Sequence, residues 1–208
     1  MGLFSDILSS EESLFVEPMA LDFDYQPSVV RHRENEQTEI VNQIKPLFSK
    51  RNGNNLFIVG IPGIGKSVCL KHVLRELNSE TDEIHTIFIN CWKKDSPFKV
   101  VNQICEELGF TWTHNKSYEE LLSKALELLN KKSAVIVLDE VDRLTDLKVI
   151  YSLLEDVFRR SLILITNHKE FLINLDTRIK SRLAASSLEF YPYKLSQVYD
   201  SLQQRKDF

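Results

Sequence analysis

The chain has 208 residues, 43% of them hydrophobic and 27% charged, the balance of a soluble globular protein large enough for one sizeable core. Lys and Arg number 26 against 30 Asp and Glu, so the net charge of −4 gives no overall basic field that would draw the chain onto nucleic acid or an anionic membrane. Cys69, Cys91 and Cys105 are spaced as neither a C-x-x-C pair nor a zinc knuckle, which argues against a disulfide framework and a structural metal.

The first ten residues, MGLFSDILSS, lack a basic leader, Asp6 stands where a myristoylation signal wants Ser or Thr, and no apolar run approaches the roughly 18 residues of a membrane span. A reduced, cytoplasmic protein without a membrane anchor is expected. Residues 1–30 show no sustained periodicity and read as an N-terminal arm, with the body of the protein over 31–208. From Arg33 the spacing of Ile40, Val41, Ile44, Leu47 and Phe48 predicts a helical apolar face, with Gly53 as its stop.

The period then changes. Residues 56–60, 84–90, 134–140 and 161–167 are short apolar runs, as expected of strands buried on both faces of a parallel sheet, and 187–190 is a fifth candidate. Helical patterns fall between them at 66–78, 97–108, 117–131 and 145–159, with Pro97 at a first helical position and Ser117 and Glu120 as a capping box; a last helix is read at 195–206. Alternation of this kind predicts a doubly wound α/β domain with right-handed crossovers. The final residues, RKDF, carry no helix stop, so the natural protein is expected to continue.

The strongest motif is Gly60-Ile-Pro-Gly-Ile-Gly-Lys66-Ser67, directly between a strand and a helix. Three of the chain's six glycines fall in this loop. Glycines let backbone N–H groups converge on phosphate oxygens at a helix N-terminus, Lys66 reaches the outer phosphates, and Ser67 offers a hydroxyl to Mg²⁺. The competing reading is a turn that only reverses direction. The second motif, Val135 to Asp142, is an apolar strand ending in carboxylates; Asp139 suits a metal and Glu140 an attacking water, and the pair distinguishes a hydrolase from a P-loop kinase. Thr166 and Asn167 end a third strand, where Asn167 can hydrogen-bond a γ-phosphate or simply cap a turn. Asn167-His-Lys-Glu170 does not supply the base-reading motif of a GTPase.

These motifs, followed by Asp176-Thr-Arg178-Ile-Lys-Ser-Arg182-Leu and by Phe190-Tyr-Pro-Tyr193 with Arg205 twelve residues on, resemble the AAA+ module of archaeal origin-recognition-complex and Cdc-type replication initiators. Tyr25-Gln-Pro27 and Arg31-His-Arg33-Glu34 are similar to the segment with which that family opens, against the adenine. The resemblance implies a three-layer αβα P-loop NTPase with a five-stranded parallel sheet, acting on ATP with Mg²⁺ held by Ser67 and Asp139. It implies nucleotide contacts from Gly60, Gly63, Ile64, Gly65, Lys66, Ser67, Val68, Tyr193 and Arg205. Glu140 and Asn167 would be catalytic, and Arg182 would be a finger for a neighbouring AAA+ subunit. Duplex origin DNA, bound mainly through a C-terminal part beyond this sequence, and the replicative helicase are the implied partners. Residues 110–116, with Trp112, His114 and Lys116, stand where the family touches DNA. Two departures are visible: the helical lid and winged-helix domains are not in this chain, and Ala184 to Ser187 lacks an expected glycine. A transposition-helper ATPase and a nucleotide-locked binding module remain as alternatives.

Overall fold

The computed structural model describes residue 27 and residues 29–206, so nearly all of the expected arm, Tyr25 included, lies outside the described residues. Arg33–Pro192 forms one compact unit, and the segment from Tyr193 onward belongs to a second, whose helix α8 is given below.

The first unit is built on five parallel strands, β1 (Leu56–Val59), β2 (Ile84–Asn90), β3 (Ser133–Asp139), β4 (Arg160–Thr166) and β5 (Ser186–Glu189), in the order β2-β3-β4-β1-β5. Its helices are α1 (Glu34–Ile44), α2 (Lys66–Glu80), α3 (Pro97–Glu107), α4 (Tyr118–Leu129), α5 (Lys148–Asp156), α6 (Glu170–Asn174) and α7 (Thr177–Leu183); α8 (Leu195–Lys206) follows in the second unit. The three central strands are buried throughout except at Arg160, because helices cover both faces. The edge strands differ. β2 alternates buried and half-buried residues, and β5 begins with two exposed serines, so the expectation of continuous burial fails where a strand has only one neighbour.

Period-two geometry divides the sheet's side chains between two apolar layers. Phe57, Ile87, Ile136, Leu138, Leu162 and Leu164 join one cluster with Val100, Ile104, Leu121, Leu129, Leu153 and Leu183 of α3, α4, α5 and α7. Leu56, Ile58, Val135, Val137, Ile163 and Ile165, equally buried, are left for the other face, where α1 and α2 pack on each other. Local signals start the helices as read: Pro97 opens α3 behind the Ser96 cap, and Ser117 and Glu120 exchange both bonds of a capping box at α4.

The first helix departs from its reading. Ile40, Ile44 and Leu47 are buried but Val41 and Phe48 are exposed, and a 3₁₀ turn over Lys45–Ser49 ends at Lys50 in the left-handed region (φ 54°), not at Gly53. Gly53 serves packing instead, since a Cβ there would meet the Ser161 Cβ at 2.9 Å. Ala184, at the departure noted above, caps α7 with φ 39° and ψ 41°, a left-handed conformation natural to glycine. All three cysteines are free and buried, and burial pushes the Cys69 and Cys91 thiols up to about 12, as befits core residues. Among the described residues no helix is long and apolar enough to cross a membrane.

Candidate functional site

At the carboxyl edge of the sheet β1 gives way to the glycine loop, and Gly63 (φ 78°) and Gly65 (φ 88°) take left-handed conformations that a Cβ would strain. Lys66 and Ser67 then open α2. This is the backbone arrangement from which consecutive N–H groups converge on an anion at a helix N-terminus. Gly63, Gly65, Lys66, Ser67 and Val68 line a cleft of about 240 Å³ together with Asp139, Glu140, Thr166 and Asn167. Gly60 and Ile64 do not line it. Gly60 is a glycine because a Cβ would approach the Phe190 carbonyl oxygen to 2.7 Å, and Ile64 is buried.

Lys66, only 7% exposed, donates from Nζ to the carbonyls of Gly60 (2.8 Å) and Ile61 (3.0 Å) and to Asn167 Oδ1 (2.7 Å). Burial lowers its pKa, and the carboxylates of Asp139, Glu140 and Asp142 work against that shift. Ser67 Oγ donates to Asp139 Oδ2 at 2.6 Å, and the Glu140 amide donates to Asp139 Oδ1 at 3.0 Å. Burial raises the Asp139 pKa, opposed chiefly by the Ser67 hydrogen bond. Glu140 is a non-glycine residue held left-handed (φ 53°), strain of the kind found at functional sites. Its pKa is raised by burial first and then by Asp139 and Asp142.

Two residues of this constellation were quoted in the sequence motifs without a role. Thr166 Oγ1 donates to Asp142 Oδ1 at 2.5 Å and itself accepts from the His168 amide at 3.1 Å, while Arg143 Nε and His168 Nε2 lie 3.6 and 3.8 Å from Asp142 Oδ2. The bond ties the ends of β3 and β4 together beside Glu140 and Asn167. Arg33 is a third. It is 4% exposed, donates to the carbonyls of Ile64 (2.9 Å) and Tyr191 (2.8 Å), pairs with Glu36 at 2.6 Å and lies 5.0 Å from the Phe190 ring centroid. Only its place in the opening segment hinted at it, because a buried arginine leaves no period in a sequence.

Arg182 stands apart from the cleft, exposed on α7, paired with Glu155 and 5.2 Å from the centroid of Tyr151. Tyr193 belongs to the second unit, and the Arg205 side chain lies outside the described residues. In the 110–116 loop Trp112 is 82% exposed, whereas Phe110 is half-buried with Lys124 Nζ 5.6 Å from its centroid.

The profile of the AAA domain family matches residues 50–174. The ORC1-type DNA replication protein 2 of Thermoplasma acidophilum is 31% identical over 201 residues, 90% of this chain and 49% of the relative. Among solved structures, the Aeropyrum pernix ORC1 protein in complex with DNA superposes with a TM-score of 0.80 at 28% identity, over 91% of this chain and 53% of that one. The ADPNP–ADP complexes of the Aeropyrum pernix ORC2 protein share the fold, with a TM-score of 0.78 at 19% identity over 94% of this chain and 57% of that one. The chain thus spans about half the length of the curated relatives it matches. These matches bear out the resemblance to archaeal replication initiators drawn from the motifs, and with it the α/β P-loop fold.

Proposed function

The chain belongs to the AAA domain family, and on that footing we propose that it is the ATP-binding and ATP-hydrolysing core of a DNA replication initiator. The observation that carries this reading is the convergence, in one cleft, of the left-handed glycine loop, the buried Lys66 ammonium, the Ser67–Asp139 pair and Glu140. Backbone amides around Gly63 and Gly65 take the phosphates, and Lys66 exchanges its internal acceptors for their oxygens. A serine hydroxyl beside a buried carboxylate is a hard-oxygen set suited to Mg²⁺, which when bound offsets charge on the β- and γ-phosphates. Glu140 accepts a proton from the attacking water, and Asn167, already held by Lys66, orients that water or the γ-phosphate.

Arg182 acts on a neighbouring subunit's nucleotide, stabilising charge on the transferred phosphoryl group. Its pairing with Glu155 in its own chain supports slow turnover in isolation. Origin DNA, engaged mainly through a C-terminal part beyond this sequence, neighbouring AAA+ subunits and the replicative helicase complete the reading. ATP turnover with Mg²⁺, measured for the wild type and for Glu140→Gln, tests it. The variant is expected to keep ATP affinity and to lose about 10²- to 10⁴-fold in turnover. Wild-type turnover at background, even with DNA and the full-length protein, would establish a nucleotide-locked binding module instead.

A further inference from the structure

The amino edge of the sheet, opposite the ATP cleft, holds a second cavity of about 200 Å³. It is enclosed by the 3₁₀ turn before β1 and by the loops leading into β2, β3 and β4. Four cations line it, Lys50, Lys131, Lys132 and Arg159, against the single carboxylate of Glu83. Arg51 and Arg160 adjoin them in sequence, as Glu80 and Asp82 adjoin Thr81, so six cations stand against three acids and this edge is locally basic on a chain whose net charge is −4.

The rim is cross-linked. The Gly53 amide donates to the Arg160 carbonyl at 3.0 Å, Asn130 Nδ2 to the Asp156 carbonyl at 2.9 Å, Ser133 Oγ to the Leu47 carbonyl at 3.3 Å, and Lys132 Nζ to the Asp82 carbonyl at 2.6 Å. The cations it carries are differently engaged. Lys131 lies 3.6 Å from Glu127, whereas Lys50, Arg51 and Arg159 have no side-chain hydrogen bond or ion pair among the described residues. Apart from Glu83, which lines the same cavity without pairing with them, these charges have no counter-charge among the described residues, on a scaffold that needs little reordering to receive one.

Two observations select the kind of anion. The 3₁₀ turn that carries Lys50 is tied to the head of β3 by the Ser133–Leu47 bond, and the Ala134 amide donates to the Arg159 carbonyl at 2.8 Å, so Lys50, Lys131 and Arg159 gather over the heads of β3 and β4, adjacent strands about 4.8 Å apart. Cations supplied by three separate loops suit successive charges on a polymer. Aromatic rings stand in the open beside it. Phe48, which lines the cavity, is 55% exposed, and Phe158 is 71% exposed, its amide donating to Asn130 Oδ1 next to Lys131. Exposed rings interleaved with unpaired cations are how a protein holds unstacked bases on a charged track.

We propose that the amino edge of the sheet binds the backbone of single-stranded nucleic acid, with Lys50, Lys131 and Arg159 on the phosphates and Phe48 and Phe158 as stacking faces. The site is separate from the ATP cleft and does not depend on its assignment.

Fluorescence anisotropy with a labelled dT 20-mer, titrated with the 208-residue chain at about 50 mM salt, tests it. Micromolar affinity is expected. The double variant Lys50→Glu, Arg159→Glu should bind at least tenfold more weakly, and the slope of log affinity against log salt should shrink by about 1.4 for two lost contacts. Phe158→Ala should weaken binding about fivefold or more. All variants should keep the wild-type melting temperature and ATP affinity, which separates loss of this site from misfolding or damage to the cleft. Undetectable wild-type binding, or variants that bind like the wild type, would overturn the proposal. A duplex 20-mer bound more tightly than dT with no effect of Phe158, or polyglutamate competing as well as unlabelled dT, would also overturn it, pointing to duplex DNA or an acidic peptide.

Discussion

Lys66, which opens α2, and Lys50, which ends a 3₁₀ turn, stand at opposite edges of the same sheet, yet their surroundings have little in common. Lys66 is buried, donates to three acceptors and lies in the field of Asp139, Glu140 and Asp142. Lys50 is exposed and makes no side-chain bond among the described residues. A buried, fully coordinated charge is part of the geometry around it, and removing it leaves acceptors and carboxylates uncompensated. An exposed one contributes a field that salt screens and a neighbour can replace. On the functions proposed for the two edges, single residues decide at the carboxyl edge and only sums do at the amino edge.

The sharpest way to break this contrast is to remove each cation. Lys66→Ala should abolish ATP binding by calorimetry, while Lys50→Ala should leave it unchanged; retained micromolar affinity in Lys66→Ala would remove the cleft from consideration. Acidity offers the next test. Burial, Asp139 and Asp142 favour the neutral acid of Glu140, so it protonates at higher pH than an ordinary glutamate of pKa 4.5, and hydrolysis should fail on acidification above that value. Asp142→Asn removes one of the charges responsible and should move the acid limb of the pH–rate profile downward.

Smaller effects sharpen the picture. Thr166→Val takes the hydroxyl from Asp142 and leaves a half-buried carboxylate short of a donor, which should cost about 1–3 kcal/mol by denaturant unfolding. The two edges also hold left-handed non-glycine residues to different ends. Glu140 lines the cleft, where its proposed role is catalytic, whereas Ala184, preceding β5, caps a helix, so Ala184→Gly should relieve about 1–2 kcal/mol of strain. Glycine's greater freedom in the unfolded chain returns part of that, for a net gain of about 0.5–1 kcal/mol in stability.

What was legible in the sequence follows the same division. The strands and the starts of α3 and α4 were readable, because short apolar runs, Pro97 and the Ser117–Glu120 box are local signals, although continuous burial holds only for β1, β3 and β4. That Gly63, Gly65, Lys66, Ser67, Asp139, Glu140 and Asn167 would line one cleft was readable because each lies at the end of a strand or the start of a helix, on the edge where a parallel sheet gathers its loops. Asp142 and Thr166 were not, since their pairing crosses 24 positions and depends on which strands are neighbours. The stop of the first helix was misplaced at Gly53 for a related reason: the glycine answers to Ser161, more than a hundred residues away, and not to its own helix.

The strand order has a consequence for how the molecule is made. β1 pairs with β4 and β5, Leu56 opposite Ile163 and Ser186, and with neither β2 nor β3. The strand that delivers the glycine loop therefore waits for two partners synthesised after most of the domain, and closing so long a loop is slow. A nascent chain acquires its phosphate loop's support only as the last strands emerge. On the proposed function, ATP affinity then reports completed folding, and ATP present at that moment stabilises the finished domain by mass action over any shorter intermediate.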